Sequence, residues 1–242
     1  MKTLVVMPTF NELSNLTMML DRIFVSNPDV HVLVVDDNSP DGTGIEADNR
    51  AAADSRLHVL HQPGKGGLGA AYRAGFRWGL EHDYDVLVEM DADGSHQPEQ
   101  LPLLLTALRE QNADLVIGSR WVPGGSVVNW PLSRKVLSLG GNLYTRICLG
   151  IRIQDATGGF RAFKSSTVTA IGMLDGSAQG YIFQVDNTYR THRKGLKIVE
   201  VPIEFVERVS GVSKMSRAIV IEAMTSVTIW CIKYRILRRK FV

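Results

Sequence analysis

The sequence predicts an α/β fold with a mainly parallel, Rossmann-like sheet that is flanked by helices. Continuous apolar runs rich in Val, Ile and Leu alternate with segments of helical period. Such runs are typical of strands covered on both faces, and repeated strand–helix units place parallel strands in one sheet. The chain has 242 residues, 45% of them hydrophobic, which is enough for one large domain.

The predicted elements follow one another regularly. Strands are expected at TLVVM, VHVLVV, RLHVLH, DVLVEM and DLVIG, which begin at Thr3, Val30, Arg56, Asp85 and Asp114. Helices are expected around residues 12–24, 44–54, 68–81 and 99–110, and helix-like segments recur at 134–149 and 218–232. We expect residues 1–215 to form one α/β domain and residues 216–242 to form a basic amphipathic helix of the same unit.

Polar segments follow the predicted strands at one edge of the sheet. They read PTFNE, DDNSPDG, QPGKGGLG, DADGSH and GSR, whereas the opposite edge carries ordinary turn sequences. Parallel α/β sheets bind ligands beyond the carboxyl ends of their strands. The functional site is therefore expected at this edge.

Asp91 and Asp93 lie two positions apart, directly after the fourth apolar run. In an extended segment such residues point the same way, so the two carboxylates converge. Mg2+ and Mn2+ take oxygen ligands and often bind through one or two carboxylates together with substrate phosphates. A divalent cation site is one interpretation of the pair, and an acidic turn in which Asp93 caps the helix near Pro98 is the other.

A glycine-rich segment follows the third predicted strand. Gly64, Gly66 and Gly69 satisfy the G-x-G-x-x-G pattern of dinucleotide-binding proteins, but that pattern normally occupies the first strand–helix turn. Lys65 also lacks the Ser or Thr that a P-loop requires. We interpret the segment as a helix amino terminus that lies close to a nucleotide or simply turns the chain.

Taken together, the motifs resemble one family. PTFNE, VVDDNSPDGT, KGGLGAAY, MDADGSHQP, GSR, WPLSRK, DATGGFRAF and RVSGVSKMS occur in this order between residues 8 and 216. The set resembles the dolichol-phosphate (polyprenol-phosphate) mannosyltransferases, which are inverting family 2 glycosyltransferases of the GT-A fold. The resemblance implies mannose transfer from GDP-mannose to a polyprenyl monophosphate, with Mg2+ or Mn2+ as cofactor.

The resemblance also implies functions for particular residues. Those matching the nucleotide-sugar site are Pro8, Phe10, Glu12, Val35, Asp37, Asp91, Ala92, Asp93, Arg120, Arg208 and Lys214. The metal positions correspond to Asp91, Asp93 and Ser95, the acceptor-phosphate positions to Arg134 and Ser138, and the catalytic ones to Asp93, Arg120 and Arg134. Phe10 replaces the usual Tyr, and Asp155 is either a turn residue or an orienting group.

A phosphate acceptor simplifies the chemistry that the resemblance implies. Its second pKa is about 6, so the nucleophile is largely deprotonated at neutral pH and no general base is assigned. A cation and basic side chains would stabilise the charge that develops on the leaving GDP. Arg134 would orient the acceptor phosphate.

The carboxyl-terminal part of the chain is strongly basic. From Arg208 onward it carries eight Lys or Arg and one acid, a local charge of +7 against −5 for residues 1–207. An anionic membrane surface is the expected partner, and nucleic acid is not, since no nucleic-acid motif is present. Residues 218–232 are too short to span a bilayer, which takes roughly 20 residues, but an amphipathic helix with a basic flank suits the interface.

The expected location is the cytoplasmic face of a membrane, with the protein peripherally bound. The alternative for residues 218–232 is a helix that only packs on the body, and a separate membrane-anchoring subunit is left open. Two other functions also stay open. One is a polyprenyl-phosphate glycosyltransferase that uses another nucleotide-sugar such as UDP-glucose, and the other is a protein that binds nucleotide-sugars without catalysis.

Overall fold

The computed structural model describes residues 1–176, 178, 180–207 and 217–237. Arg208 and Lys214 therefore lie outside the described residues. The strands are β1 (Thr3–Thr9), β2 (His31–Asp36), β3 (Leu57–His61), β4 (Val86–Glu89), β5 (Leu115–Ser119), β6 (Ser126–Val128), β7 (Arg161–Lys164), β8 (Ile198–Pro202) and β9 (Glu204–Val206). The helices are α1 (Leu13–Ser26), α2 (Thr43–Ala51), α3 (Leu68–Glu81), α4 (Leu101–Glu110), α5 (Leu132–Leu149), α6 (Ser165–Ala170), α7 (Gly180–Arg193) and α8 (Arg217–Trp230).

Seven strands form the main sheet in the order β3-β2-β1-β4-β7-β5-β8. All neighbours in it run parallel except β7, which is antiparallel to both β4 and β5. The parallel register places Thr9 beside Asp36, so the loops after β1 and β2 leave the sheet at the same edge. The mainly parallel sheet that the apolar runs predict is confirmed.

Alternate residues of each central strand enter two different hydrophobic cores. In β1, Val5 and Met7 pack with α1 and α4 on one face, whereas Leu4 and Val6 pack with α3 and Phe183 on the other. Side chains of a strand point alternately to the two faces, so a strand covered on both must be apolar throughout. This explains why the first five strands appear as continuous apolar runs.

Helix α3 lies unusually close to the sheet because two of its buried residues are glycines. A Cβ at Gly75 would lie 2.4 Å from Val6 Cγ1, and one at Gly79 would lie 2.5 Å from Leu87 Cδ2. The glycines thus set the position of α3 on the sheet. The glycine-rich loop that precedes α3 is held over the carboxyl edge as a result.

The second half of the chain contains strands that the apolar runs do not reveal. Strand β7 is inserted between β4 and β5, and β8 extends the sheet beyond β5. A separate two-stranded ribbon pairs β6 with β9. Trp130, next to this ribbon, packs edge to face on Phe205 with ring centroids 5.3 Å apart, which pins the segment 121–131 beside the sheet edge.

The carboxyl-terminal helix packs on the body. Val227 is buried in a small core with residues of α5 and α7, and Trp230 packs against the same core. A π-helical turn, Cys231–Ile236, continues α8, and Arg235 donates hydrogen bonds to the carbonyls of Ile147 and Cys148 at the end of α5. Among the described residues no helix is both long enough and apolar enough to cross a bilayer. The boundary at residue 216 stays a prediction.

Candidate active site

A cavity of about 680 Å³ opens at the carboxyl edge of the sheet. Segments that follow β1, β2, β3, β4 and β5 all contribute to its lining, as expected from the polar loops. The predicted site residues that line it are Pro8, Phe10, Glu12, Asp37, Asp91, Ala92, Asp93, Ser95, Arg120 and Arg134. Ten predicted site residues therefore line one cavity, and twelve further residues complete its wall.

Asp37 ties the glycine-rich loop to the end of β2. Its Oδ2 accepts hydrogen bonds from the backbone N–H groups of Gly66 and Gly67, at 3.1 and 3.3 Å. These N–H groups are thus engaged with a carboxylate and not arranged as a pyrophosphate cradle, which disfavours the dinucleotide-binding reading of the motif. Burial raises the pKa of Asp37, and its Oδ1 has no hydrogen-bonding partner among the described residues. A buried acceptor of this kind is available to a ligand donor.

The mouth of the cavity beside β1 combines a ring, a cation and a carboxylate. Lys65 Nζ lies 4.2 Å from the centroid of the Phe10 ring, in a cation–π contact. Glu12 lines the cavity and accepts a hydrogen bond from Asn15 Nδ2 at 3.0 Å. The ring face that the family's Tyr would supply is therefore present at Phe10, and Lys65 covers it.

Asp91 is held in place by two neighbours. The buried hydroxyl of Tyr72, on α3, donates a hydrogen bond to Asp91 Oδ1 at 3.1 Å. The backbone N–H of Asp91 donates to Nδ1 of His96 at 3.0 Å. Burial, together with the charge of Asp91, raises the pKa of Tyr72 well above its ordinary value, so the hydroxyl stays a donor. One oxygen of Asp91 is therefore oriented before any ligand arrives.

Asp93 and Ser95 complete a donor set that fits a divalent cation. Asp93 Oδ1 accepts the Ser95 N–H at 3.0 Å across a tight turn in which Gly94 has a φ of +77°. Ser95 Oγ is buried and has no hydrogen-bonding partner within the described part of the chain. No cluster of three His, Cys, Asp or Glu side chains suited to a metal occurs among those residues. The remaining ligands would thus be Ser95, water and phosphate oxygens, as Mg2+ and Mn2+ commonly use.

The alternative reading of the acidic pair does not match the local geometry. The 3-10 turn at Pro98–Gln100 begins without a side-chain cap. Asp93 hydrogen-bonds within its own turn and lines the cavity. It is a cavity carboxylate and does not cap the following helix.

Arg120 forms a buried ion pair with Asp155. Arg120 Nε and Nη2 lie 2.7 and 2.6 Å from the two oxygens of Asp155, and the Arg120 N–H donates to the same carboxylate at 3.0 Å. Glu200 on β8 accepts the backbone N–H groups of Gln154 and Asp155 and so fixes this loop. Burial opposes ionisation, but the charge and hydrogen bonds of Arg120 outweigh it and hold the pKa of Asp155 below its ordinary value. Asp155 is therefore an orienting group, which the sequence left open.

Arg134 also has a carboxylate partner. Its Nη1 is paired with Glu207 Oε1, and its guanidinium lies 4.0 Å from the centroid of the Trp130 ring. Arg134 Nε and Glu207 Oε2 are buried without hydrogen-bonding partners among the described residues. One carboxylate oxygen of Glu207 is thus left without a hydrogen bond among the described residues, whereas both oxygens of Asp155 accept one.

Two predicted residues do not line the cavity. Val35 is fully buried in the core beneath α3. Ser138 lies one turn after Arg134 and accepts a hydrogen bond from Trp121 Nε1 at 3.3 Å. Neither residue therefore reaches the cavity, and Arg208 and Lys214 lie outside the described residues.

Although Lys65 and Gly66 belong to the glycine-rich segment expected near a nucleotide, twelve lining residues are not among the predicted site residues. They are Thr9, Lys65, Gly66, Gly67, Leu68, Ala71, His96, Thr157, Gly159, Gly180, Gln184 and Phe205. His96 follows the acidic pair within the same motif and is almost fully buried, and burial lowers the pKa of its ring. Because His96 is close to Asp91 in the sequence, it could have been predicted as a site residue. Gln184 and Phe205 could not, because they lie on α7 and β9, far away in the sequence.

This fold and site are those of a glycosyltransferase of the GT-A class. The family model named glycosyl transferase family 2 matches residues 4–172, and the chain belongs to that family. Undecaprenyl-phosphate mannosyltransferase of Micrococcus luteus is 60% identical over 95% of this chain and 94% of its own. Polyprenol monophosphomannose synthase of Mycolicibacterium smegmatis is 52% identical over 100% of this chain and 91% of its own.

Solved structures share the fold at lower identity. Glucosyl-3-phosphoglycerate synthase of Mycobacterium tuberculosis has a TM-score of 0.66 and 21% identity, over 97% of this chain and 79% of its own. A mannosyltransferase of Pyrobaculum calidifontis, solved with GDP-Man and Mn2+, has a TM-score of 0.62 and 18% identity, over 100% of this chain and 65% of its own. These likenesses establish the GT-A fold of the chain.

Proposed function

We propose that this protein transfers mannose from GDP-mannose to a polyprenyl monophosphate, with inversion at the anomeric carbon. The observation that carries the proposal is that one cavity brings together three kinds of side chain. They are a carboxylate that would bind the nucleotide (Asp37), the acidic pair (Asp91 and Asp93) and two arginines (Arg120 and Arg134). The names of the two relatives that match nearly the whole chain support the sugar and the lipid acceptor. The related mannosyltransferase solved with GDP-Man and Mn2+ supports the donor and the ion.

The donor half of the cavity holds the nucleotide and its leaving group. Asp37 accepts hydrogen bonds from the base or ribose, and the ring of Phe10 offers an apolar face. Asp91, Asp93 and Ser95 would hold Mg2+ or Mn2+. Such an ion, when bound, stabilises the charge that develops on the diphosphate. Arg120, fixed by Asp155, adds positive charge to the same wall of the cavity and needs no reorganisation during the reaction.

The acceptor half lies at Arg134. A phosphate monoester dianion is already nucleophilic, so its orientation matters more than removal of a proton. Arg134 presents a planar fork of donors whose geometry matches a phosphate group. Because Glu207 occupies part of that fork, the incoming phosphate exchanges with a carboxylate that the protein itself supplies.

The proposed location is the cytoplasmic face of a membrane, and α5 carries the supporting pattern. Its exposed apolar side chains are Leu132, Val136, Leu139, Leu143 and Ile147, spaced three or four residues apart along one face. The buried residues of α5 are Asn142, Thr145 and Leu149, so two of the three are polar. This arrangement is the reverse of a helix that packs its apolar face on a core, and it indicates an apolar partner outside the protein. Exposed Ile221, Met224 and Ile232 extend this apolar surface along the carboxyl-terminal helix.

One incubation tests donor, acceptor and ion together. Purified protein is mixed with radiolabelled GDP-mannose or UDP-glucose, with or without undecaprenyl phosphate, in Mn2+ or in EDTA. We expect a labelled lipid only when GDP-mannose, undecaprenyl phosphate and Mn2+ are all present. Asp93→Asn should lower the rate of transfer at least a hundredfold. Transfer from UDP-glucose at an equal rate would contradict GDP-mannose as the specific donor. Full activity in EDTA would show that the reaction needs no divalent ion.

A further inference from the structure

His96 is a buried ring that lines the cavity and accepts the backbone N–H of Asp91. It is 1% exposed. Its ring stacks on Phe160, with centroids 5.2 Å apart and planes 17° apart, and meets Phe205 edge to face at 5.6 Å. The orientation of the ring is therefore fixed by packing on two sides.

The hydrogen bond to Asp91 determines which ring nitrogen carries the proton. Nδ1 accepts the Asp91 backbone N–H at 3.0 Å, and a nitrogen that accepts is unprotonated. The neutral ring consequently carries its proton on Nε2, which is a donor. Among the described residues Nε2 has no hydrogen-bonding partner, although His96 lines the cavity. A fixed donor thus faces the space that a substrate would occupy.

The space in front of this donor is left open by Gly159. A Cβ at position 159 would lie 3.8 Å from His96 Nε2 and 3.9 Å from Asp91 Oδ2. The φ of Gly159 is not in the left-handed region, so the backbone itself does not require glycine there. The missing side chain leaves a gap bordered by one N–H donor and one carboxylate oxygen, which we call the Gly159 gap.

A hydroxyl group matches both borders of the Gly159 gap. A hydroxyl accepts a hydrogen bond from Nε2–H and donates one to a carboxylate oxygen. A diphosphate oxygen accepts from the ring as well, but it carries no proton to donate to the Asp91 oxygen. The chemistry of the gap therefore selects an alcohol over a second anion.

We propose that His96 Nε2–H donates a hydrogen bond to a hydroxyl of the donor's hexose in the Gly159 gap. This inference rests on the proposed function, because it takes a nucleoside-diphosphate hexose as the donor. It makes His96 a residue that distinguishes the sugar nucleotide from the nucleoside diphosphate alone.

Two substitutions separate the donor role of His96 from its contact with Asp91. In His96→Asn the amide oxygen takes the place of Nδ1, so an acceptor for the Asp91 N–H is kept while the Nε2 donor is lost. Gly159→Ala fills the gap while its Cβ meets His96 at 3.4 Å, an ordinary contact. His82→Asn is the matched control, since His82 is exposed beyond α3 at the opposite edge of the sheet.

The experiment measures dissociation constants for GDP-mannose and for GDP by calorimetry in Mn2+, with a melting curve for each variant. We expect His96→Asn and Gly159→Ala to weaken GDP-mannose binding about 5- to 15-fold, the loss of one hydrogen bond, while GDP binding changes less than twofold. Unchanged GDP-mannose binding, or an equal loss for both ligands, overturns the inference. Wild-type protein that does not bind GDP-mannose would overturn the donor assignment as well.

Discussion

The ion pair between Arg120 and Asp155 leads to a quantitative prediction for Asp155→Asn. The Asp155 side chain is fully buried and that of Arg120 is 7% exposed. One Asp155 oxygen accepts Arg120 Nε and N–H, and the other accepts Arg120 Nη2 and the Thr157 hydroxyl. Either orientation of an Asn amide would turn a donor toward donors. The substitution thus removes the charge and breaks hydrogen bonds at once.

The expected loss is large because a buried charge is left without its partner. Breaking one side of a buried pair costs about 3–5 kcal/mol, whereas replacing both partners by apolar groups is often close to neutral. We therefore expect Asp155→Asn to lower the free energy of unfolding by about 3–5 kcal/mol. The double variant Arg120→Met, Asp155→Leu should lose clearly less, although it would be inactive.

Urea unfolding followed by circular dichroism measures both values. The pKa of Asp155 is held below its ordinary value of 3.8, so the stabilisation is present above that pH and is lost as the pH falls through the folded-state pKa. The difference in the free energy of unfolding between wild type and Asp155→Asn should accordingly be constant from pH 5 to 8. A loss below about 1 kcal/mol at pH 7, or a double variant less stable than the single one, would refute the reasoning.

Two further predictions concern packing and the membrane surface. Gly75→Ala should destabilise the protein by about 1–3 kcal/mol because its Cβ would meet Val6 at 2.4 Å, whereas Gly140→Ala on α5 has nothing within 4 Å and should stabilise it by about 0.5–1 kcal/mol. Equal effects in urea unfolding would contradict the close approach of α3. The double variant Leu139→Asn, Leu143→Asn should bind anionic vesicles at least tenfold more weakly, because each exposed Leu that enters lipid contributes about 1.5–3 kcal/mol. Leu103→Asn, equally exposed on α4, is the control, and similar sedimentation of both would exclude α5 as the lipid contact.

The first half of the fold was predictable because local pattern and tertiary role agree there. Strands β1 to β5 are apolar on both faces, and the structure places them where those runs occur, within two residues at each end. Strand β7 escaped prediction because it has four residues and begins and ends with Arg161 and Lys164. Only its pairing with β4 and β5 makes it a strand. The carboxyl-terminal helix was visible as an apolar run, but its packing against α7 was not.

The candidate site divides along the same line. Asp91 and Asp93 were recognisable because their spacing and their place after a strand are local features. The partner of Arg120 could not be recognised in the same way, because Asp155 lies 35 residues further along the chain. The two residues meet because β7, which follows Asp155, runs antiparallel to β5. Contacts that depend on the order of strands in the sheet cannot be predicted from the spacing of residues in the sequence.

The two arginines of the site differ in how their carboxylate partners are bound, and from this difference we infer different tasks for them under the proposed function. Asp155 is bonded at both oxygens and held by Glu200 behind it, so Arg120 is locked in one position. A locked donor suits a leaving group whose charge grows during the reaction, since stabilisation then requires no movement. Glu207 pairs with Arg134 through one oxygen and leaves the other without a hydrogen bond among the described residues. We infer that a partner held so incompletely exchanges with an incoming phosphate, and that it compensates the partly buried guanidinium until that phosphate arrives. Under the proposed function, the site would keep a fixed cation at the donor and an exchangeable one at the acceptor.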